Sequence, residues 1–158
     1  MNGAPAASSA AARARMKRQT PKDTQPEIQV RRLLHAAGLR YRVHIAVPGR
    51  TRRTIDICFR AIGLAVFLDG CFWHGCPQHA TYPAANADWW AAKLAGNQRR
   101  DADTTDHLRD LGWTVARFWT HEPPEAVAGS VREMVATLRG AGGAGSRQRI
   151  IRAGRHPV

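Results

Sequence analysis

The sequence predicts a small α/β domain, and three observations carry that prediction. Its periodicities run helix, three strands, helix, strand, helix, the pattern of a sheet with helices packed on it. Apolar residues make up 44% of the 158 positions, ordinary for a chain with one core. The basic excess lies at the two ends, leaving a near-neutral middle. Residues 1–53 hold twelve Lys or Arg against Asp23 and Glu27, whereas residues 54–139 carry two more acids than bases.

The elements follow in order. Residues 1–20 are small residues and then Arg13, Arg15, Lys17 and Arg18, a basic arm expected to be disordered until it meets a polyanion. Thr24-Gln-Pro-Glu27 reads as a capping box opening a helix, with Val30, Leu33, Leu34 and Ala37 on one face and Gly38 ending it. Tyr41–Ile45 alternates as a half-buried strand, and Pro48–Arg53 reads as a basic turn. Thr54–Phe59 alternates again, with Ile55, Ile57 and Phe59 on one face and Asp56 and Cys58 on the other. Leu64–Leu68 is continuously apolar, as in a strand covered on both faces.

A Gly-rich loop, 69–79, comes next. A long helix then runs from near Asn86 to about Leu111, with Trp90, Leu94, Asn97 and Asp101 on one face and a weak point at Asp101–Thr105. Trp113–Phe118 is a strand, and Pro123-Pro-Glu opens the last helix. The expected organisation is an arm at 1–20, a domain at 21–139 and a Gly/Arg-rich tail at 140–158.

The charge asymmetry is the footprint of a phosphate-backbone binder; a solvated basic surface is the plainer reading. No apolar run reaches the length of a membrane span, and Met1–Ala12 lacks a signal peptide's apolar stretch, so a cytoplasmic location is expected. Three cysteines do not make a secreted disulfide framework.

The loop concentrates the chemistry. Cys71-x4-Cys76-x2-His79, with His121 after the last strand, offers four nitrogen and sulfur ligands for a tetrahedral zinc; two buried thiols and two surface histidines are the alternative. Cys58, inside a strand, reads as core. His74 is left over between the two cysteines, held in place as a general acid or base would need. Phe72 and Trp73 at the loop tip, with Trp90, read either as core or as a wedge that enters a kinked duplex. Asp56 is a carboxylate in a half-buried strand, costly unless paired or metal-bound, and of the kind that holds Mg2+ in phosphodiester cleavage. Glu27 has a capping role, and Asp101 reads as a surface ion pair or a site residue.

These segments together resemble the very short patch repair endonuclease family. The likeness runs through Met16-Lys-Arg, Asp23–Glu27, Tyr41-Arg-Val, Ile55-Asp56, Asp69-Gly-Cys-Phe-Trp-His-Gly-Cys-Pro77, Asp88-Trp-Trp90, Lys93, Asn97–Asp101, Leu111-Gly-Trp113 and Trp119–Glu122, in family order. The resemblance implies a restriction-endonuclease-like mixed sheet flanked by helices, with a zinc-stabilised loop. It implies a Mg2+-dependent endonuclease that nicks one strand of double-stranded DNA at a T:G mismatch left by 5-methylcytosine deamination.

Carried across by position, Asp56 and the Leu68 carbonyl would bind Mg2+, and His74 would act on the attacking water. Glu27 and Asp101 would hold waters around the metal. Phe72, Trp73 and Trp90 would intercalate, and Cys71, Cys76, His79 and His121 would bind Zn2+. Mismatch-repair proteins and a DNA polymerase are the implied partners of a monomeric, nucleoid-associated enzyme. Ile55 stands where family members often carry Pro, and His121 where some carry Cys. Three readings compete: a nuclease of the same fold cutting other DNA in restriction or defence, a non-catalytic zinc-stabilised DNA-binding module, and an RNA-binding protein.

Overall fold

The computed structural model describes residues 22–79, 84 and 86–142. Arg13, Arg15, Lys17 and Arg18, and the tail beyond 142, lie outside the described residues. The elements are α1 (Gln25–Ala36), β1 (Arg42–Val47), β2 (Arg50–Phe59), a single 3-10 turn (Arg60–Ile62), β3 (Leu64–Asp69), α2 (Ala87–Asp110), β4 (Thr114–Trp119) and α3 (Pro124–Gly142). They build a mixed sheet in the order β1-β2-β3-β4, antiparallel except for the parallel β3–β4 pair. A parallel pair needs a crossover, and α2 is that crossover. Among the described residues no helix is long and apolar enough to cross a membrane.

Each sheet face has its own core. Val30 and Leu34 of α1 and Val127, Val131 and Val135 of α3 pack on Ile57, Phe59, Leu64, Val66, Leu68, Ala116 and Phe118. On the opposite face Leu108 of α2 packs on Cys58, Ala65, Phe67, Ile55 and Val47. This explains the uninterrupted apolar run of β3, every residue of which is buried.

Four sequence expectations need correcting. The basic segment after Pro48 is strand rather than turn: only Pro48 and Gly49 turn, between the paired residues Val47 and Arg50. Gly49 has φ +73°, a conformation that favours glycine. The arginines are tolerated there because Arg53 donates to Asp103 at 2.5 Å and to Thr104 at 2.8 Å on α2, contacts invisible to local patterning. The second correction concerns Ile55, which packs with Cys58 on the α2 side and not with Ile57. Alternation therefore breaks at Asp56. Third, α2 runs unbroken through Asp101–Thr105; Thr104 and Thr105 are buried, and the Thr104 hydroxyl donates to the Arg100 carbonyl at 2.6 Å.

The capping box is the fourth. Thr24 is the N-cap, but its hydroxyl makes no capping bond to the helix backbone. It donates to the Glu27 carboxylate at 3.0 Å, whose other oxygen accepts the Asp23 N–H at 3.0 Å. Glu27 thereby turns inward and is buried.

Candidate active site

The site lies where the β2–β3 ladder ends. Ile57 pairs with Val66, and beyond that point the strands part. The Leu68 N–H donates instead to the Asp56 carboxylate at 2.8 Å, so this side chain replaces a rung of the ladder and is fixed by it. It also brings the Leu68 backbone against Asp56. Burial pushes the Asp56 carboxyl up to about 6, the Leu68 bond opposes the shift, and the nearby Glu27 and Asp69 carboxylates add to it.

Asp56, Glu27, Leu68, Asp69, Phe72, Trp73, His74, Asp101 and Arg117 all line one open cavity of about 780 Å³. The sheet's geometry selects several of them. Ala65, Phe67 and Asp69 share the α2 side of β3 by the two-residue period, and Arg117 stands opposite Phe67 in the parallel β4. Arg117 thus stacks over the Phe67 ring at 4.6 Å and reaches Asp69 with two bonds, Nε at 2.7 Å and a terminal nitrogen at 2.6 Å. That terminal nitrogen also lies 3.2 Å from Asp101. The other Asp101 oxygen is 2.5 Å from His74 Nδ1. Burial disfavours the His74 cation, but the Asp101 hydrogen bond and the Asp69 charge outweigh it and raise its pKa above the ordinary value.

The loop carrying His74 is gripped by α2. Asn97, itself buried, donates to the Trp73 carbonyl at 2.8 Å and accepts from Arg100. Gln98 reaches the His74 carbonyl at 3.5 Å. Gly75 has φ +67°, a conformation that favours glycine, and a Cβ there would push aside the Gln98 amide, 2.5 Å away. At the tip, Phe72, Trp73 and Trp90 form one half-buried cluster, with Phe72 5.0 Å from Trp73 and 5.3 Å from Trp90 between ring centres.

Cys71, Cys76, His79 and His121 converge, each offering a ligand atom within 4.8 Å of the others. Cys76 Sγ lies 3.7 Å from His121 Nδ1 and 3.8 Å from His79 Nδ1, and Cys71 Sγ 3.1 Å from His121 Nδ1. Tetrahedral zinc, with bonds of about 2.3 Å to sulfur and about 2.0–2.1 Å to nitrogen, would set such separations near 3.6 Å. The donor set and spacing therefore suit zinc. Burial pushes the Cys71 thiol above its ordinary pKa, the Thr120 hydroxyl opposes the shift, and the neighbouring Cys76 adds to it.

Of the sequence candidates among the described residues, Asp56, Leu68, His74, Asp101, Glu27, Phe72 and Trp73 meet at one cavity, and Trp90 adjoins it through the aromatic cluster. Asp101 is not a surface ion pair: both its oxygens are engaged, by His74 and by Arg117. Glu27 also joins Asp23 and His44 in a second group of metal-ligating types. Arg31 already sits 2.5 Å from Asp23 there, and Glu27 is taken up by the local bonds at the helix start. Sequence reasoning missed Asp69, Asn97 and Arg117 as site residues. The available signal was a charge at the end of a wholly apolar strand, Asp69, and one of opposite sign inside another, Arg117.

Residues 7–79 match the family DNA mismatch endonuclease Vsr. The chain is 40% identical over 111 residues to the type II nicking enzyme V.NaeI of Lentzea aerocolonigenes, covering 68% of this chain and 67% of that one. It is 39% identical to the type II nicking enzyme V.XorIIP of Xanthomonas oryzae pv. oryzae, covering 68% and 77%. It is 35% identical to DNA mismatch endonuclease Vsr of Escherichia coli K12, covering 62% of each.

Proposed function

The chain belongs to the Vsr family of DNA mismatch endonucleases, and we propose that it nicks one strand of duplex DNA at a T:G mismatch in a Mg2+-dependent reaction. The observation that carries this reading is the meeting of Asp56 and His74 at one cavity, beside an aromatic cluster. The cavity fits a divalent cation. Burial and two neighbouring carboxylates raise Asp56, an effect a bound cation would offset, and Mg2+ needs only one or two protein carboxylates alongside substrate oxygens. Asp56 and the Leu68 carbonyl would hold it. Once bound, it would polarise the scissile phosphate and acidify an attacking water.

The chain's own groups do the rest. Asp101 fixes His74 through Nδ1, leaving Nε2 to orient water or take its proton. Attack at phosphorus with departure of the 3′-oxygen, which takes a proton, leaves 5′-phosphate and 3′-hydroxyl ends. Such a nick is a substrate for a DNA polymerase, the partner class proposed alongside mismatch-repair proteins. Phe72, Trp73 and Trp90 wedge into the stack. A mismatched step opens at lower cost than a paired one, and that difference becomes selectivity. Zinc held by Cys71, Cys76, His79 and His121 would keep the loop in place, and the arm residues Arg13, Arg15, Lys17 and Arg18 would supply phosphate contacts without sequence reading.

The test is a Mg2+-dependent nicking assay on matched and mismatched duplexes. Selective nicking at T:G supports the reading. Equal nicking of matched duplexes replaces it with a nuclease for other DNA. Binding without metal-dependent cleavage replaces it with a DNA-binding module.

A further inference from the structure

We propose that Arg117 and Asp69 are positioning residues for this reaction: the Arg117 guanidinium, locked to Asp69, holds the Asp101 carboxylate in the one orientation that keeps His74 Nδ1 engaged. The inference rests on the nicking assignment and goes beyond it, because that assignment gives neither residue a role.

The geometry forms a chain of contacts across three elements. Asp69 ends β3, Arg117 lies in β4 and Asp101 is on α2. Asp69 takes the Arg117 fork through two bonds, at 2.6 and 2.7 Å, which fixes the plane of the guanidinium. Phe67 beneath it removes the remaining freedom. A terminal nitrogen so fixed meets Asp101 Oδ1 at 3.2 Å, while Asp101 Oδ2 meets His74.

Without this clamp the Asp101 carboxylate could rotate about its own bond. Asp69 would then compete for the imidazole, since its Oδ1 already stands 3.7 Å from His74 Nδ1. The paired arginine thus neutralises the rival and orients the partner. Thr105, 3.4 Å from Arg117, braces the far side. A lysine has a single point charge and could meet Asp69 or Asp101 but not reproduce the fork.

The experiment compares single-turnover nicking of a T:G duplex, at saturating DNA and across a DNA titration, in wild type, Arg117→Lys, Arg117→Met and the double variant Asp69→Asn/Arg117→Met. The double variant is included because Arg117→Met alone takes the guanidinium fork from the buried Asp69 carboxylate and endangers the fold, whereas removing both charges need not. Folding is checked by thermal melting. The hydrogen-bonded proton between His74 and Asp101 is followed in the NMR spectrum.

The expected result is a loss of about 100-fold in the saturated rate for the double variant, with the half-saturating DNA concentration changed less than about twofold and the His74–Asp101 proton signal shifted or lost. Arg117→Lys should recover part of the rate. Wild-type rate and an unaltered proton signal in the folded double variant overturn the inference and leave the nicking assignment standing. A loss confined to half-saturation also overturns it, making Arg117 a DNA contact. A wild type that nicks no duplex removes the assignment and this inference together.

Discussion

Asp56→Asn should abolish nicking and stabilise the magnesium-free protein above neutral pH. The structure supplies the magnitude. Burial and two neighbouring carboxylates raise Asp56 from 3.8 to about 6. Between those values the folded chain holds a proton that the unfolded chain has released. Stability therefore falls as pH rises through that window, and the deficit is complete above about pH 6. Two pKa units correspond to about 3 kcal/mol. Solvent reaching a partly buried side chain brings the expected gain down to about 1–3 kcal/mol.

Asparagine keeps an acceptor for the Leu68 N–H, so the rung survives without the charge. Alanine does not, and should destabilise by about 1–3 kcal/mol at pH 4 through the unpaired amide, a loss that removal of the charge offsets at pH 8. The assay is urea unfolding at pH 4 and at pH 8 in zinc-replete, magnesium-free buffer. An Asn variant that gains nothing at pH 8 relative to its value at pH 4 would refute the reasoning, because Asp56 would then carry no buried-charge penalty.

Three further outcomes are expected. Elemental analysis should find about one zinc per chain, lost in Cys71→Ser. With zinc at 100 times its Kd that loss removes about 2.7 kcal/mol, or about 10 °C in Tm, and an unchanged melting curve would discard the site. Replacing Phe72 and Trp73 with Ala should cut the preference for T:G over matched duplex about tenfold while affinity for matched DNA changes less than about threefold; equal losses would make these residues general DNA contacts. Deleting residues 1–20, with their four cations, should flatten the slope of log affinity against log salt by up to about 4, and an unaltered slope would remove the arm from the phosphate contacts.

What the sequence made legible was what local pattern encodes. Val30 and Leu34 announce α1, and the apolar run at 64–68 announces a strand covered on both sides. The Asp69–Pro77 loop was legible because glycines, aromatics, cysteines and a histidine rarely crowd together without a chemical reason. Pairings across the fold were not. Asp69 and Arg117 are 48 residues apart and meet only because β3 and β4 run parallel. Arg53 sits in a strand because Asp103, fifty residues on, takes its charge. Glu27 satisfied a local rule so well that its inward turn was hidden, and alternation breaks at Asp56, where β2 and β3 part and where the facing His44 of β1 has φ +51°.

That parting has an evolutionary corollary. An amide of the sheet relies on the side chain at position 56 for its acceptor, so architecture and chemistry share one residue. A descendant that abandoned cleavage would still be held to a short polar side chain there, and drift toward an aliphatic one would be selected against on folding grounds alone. Finding Asp or Asn at this place in a distant cousin is therefore weak testimony that the cousin still cuts.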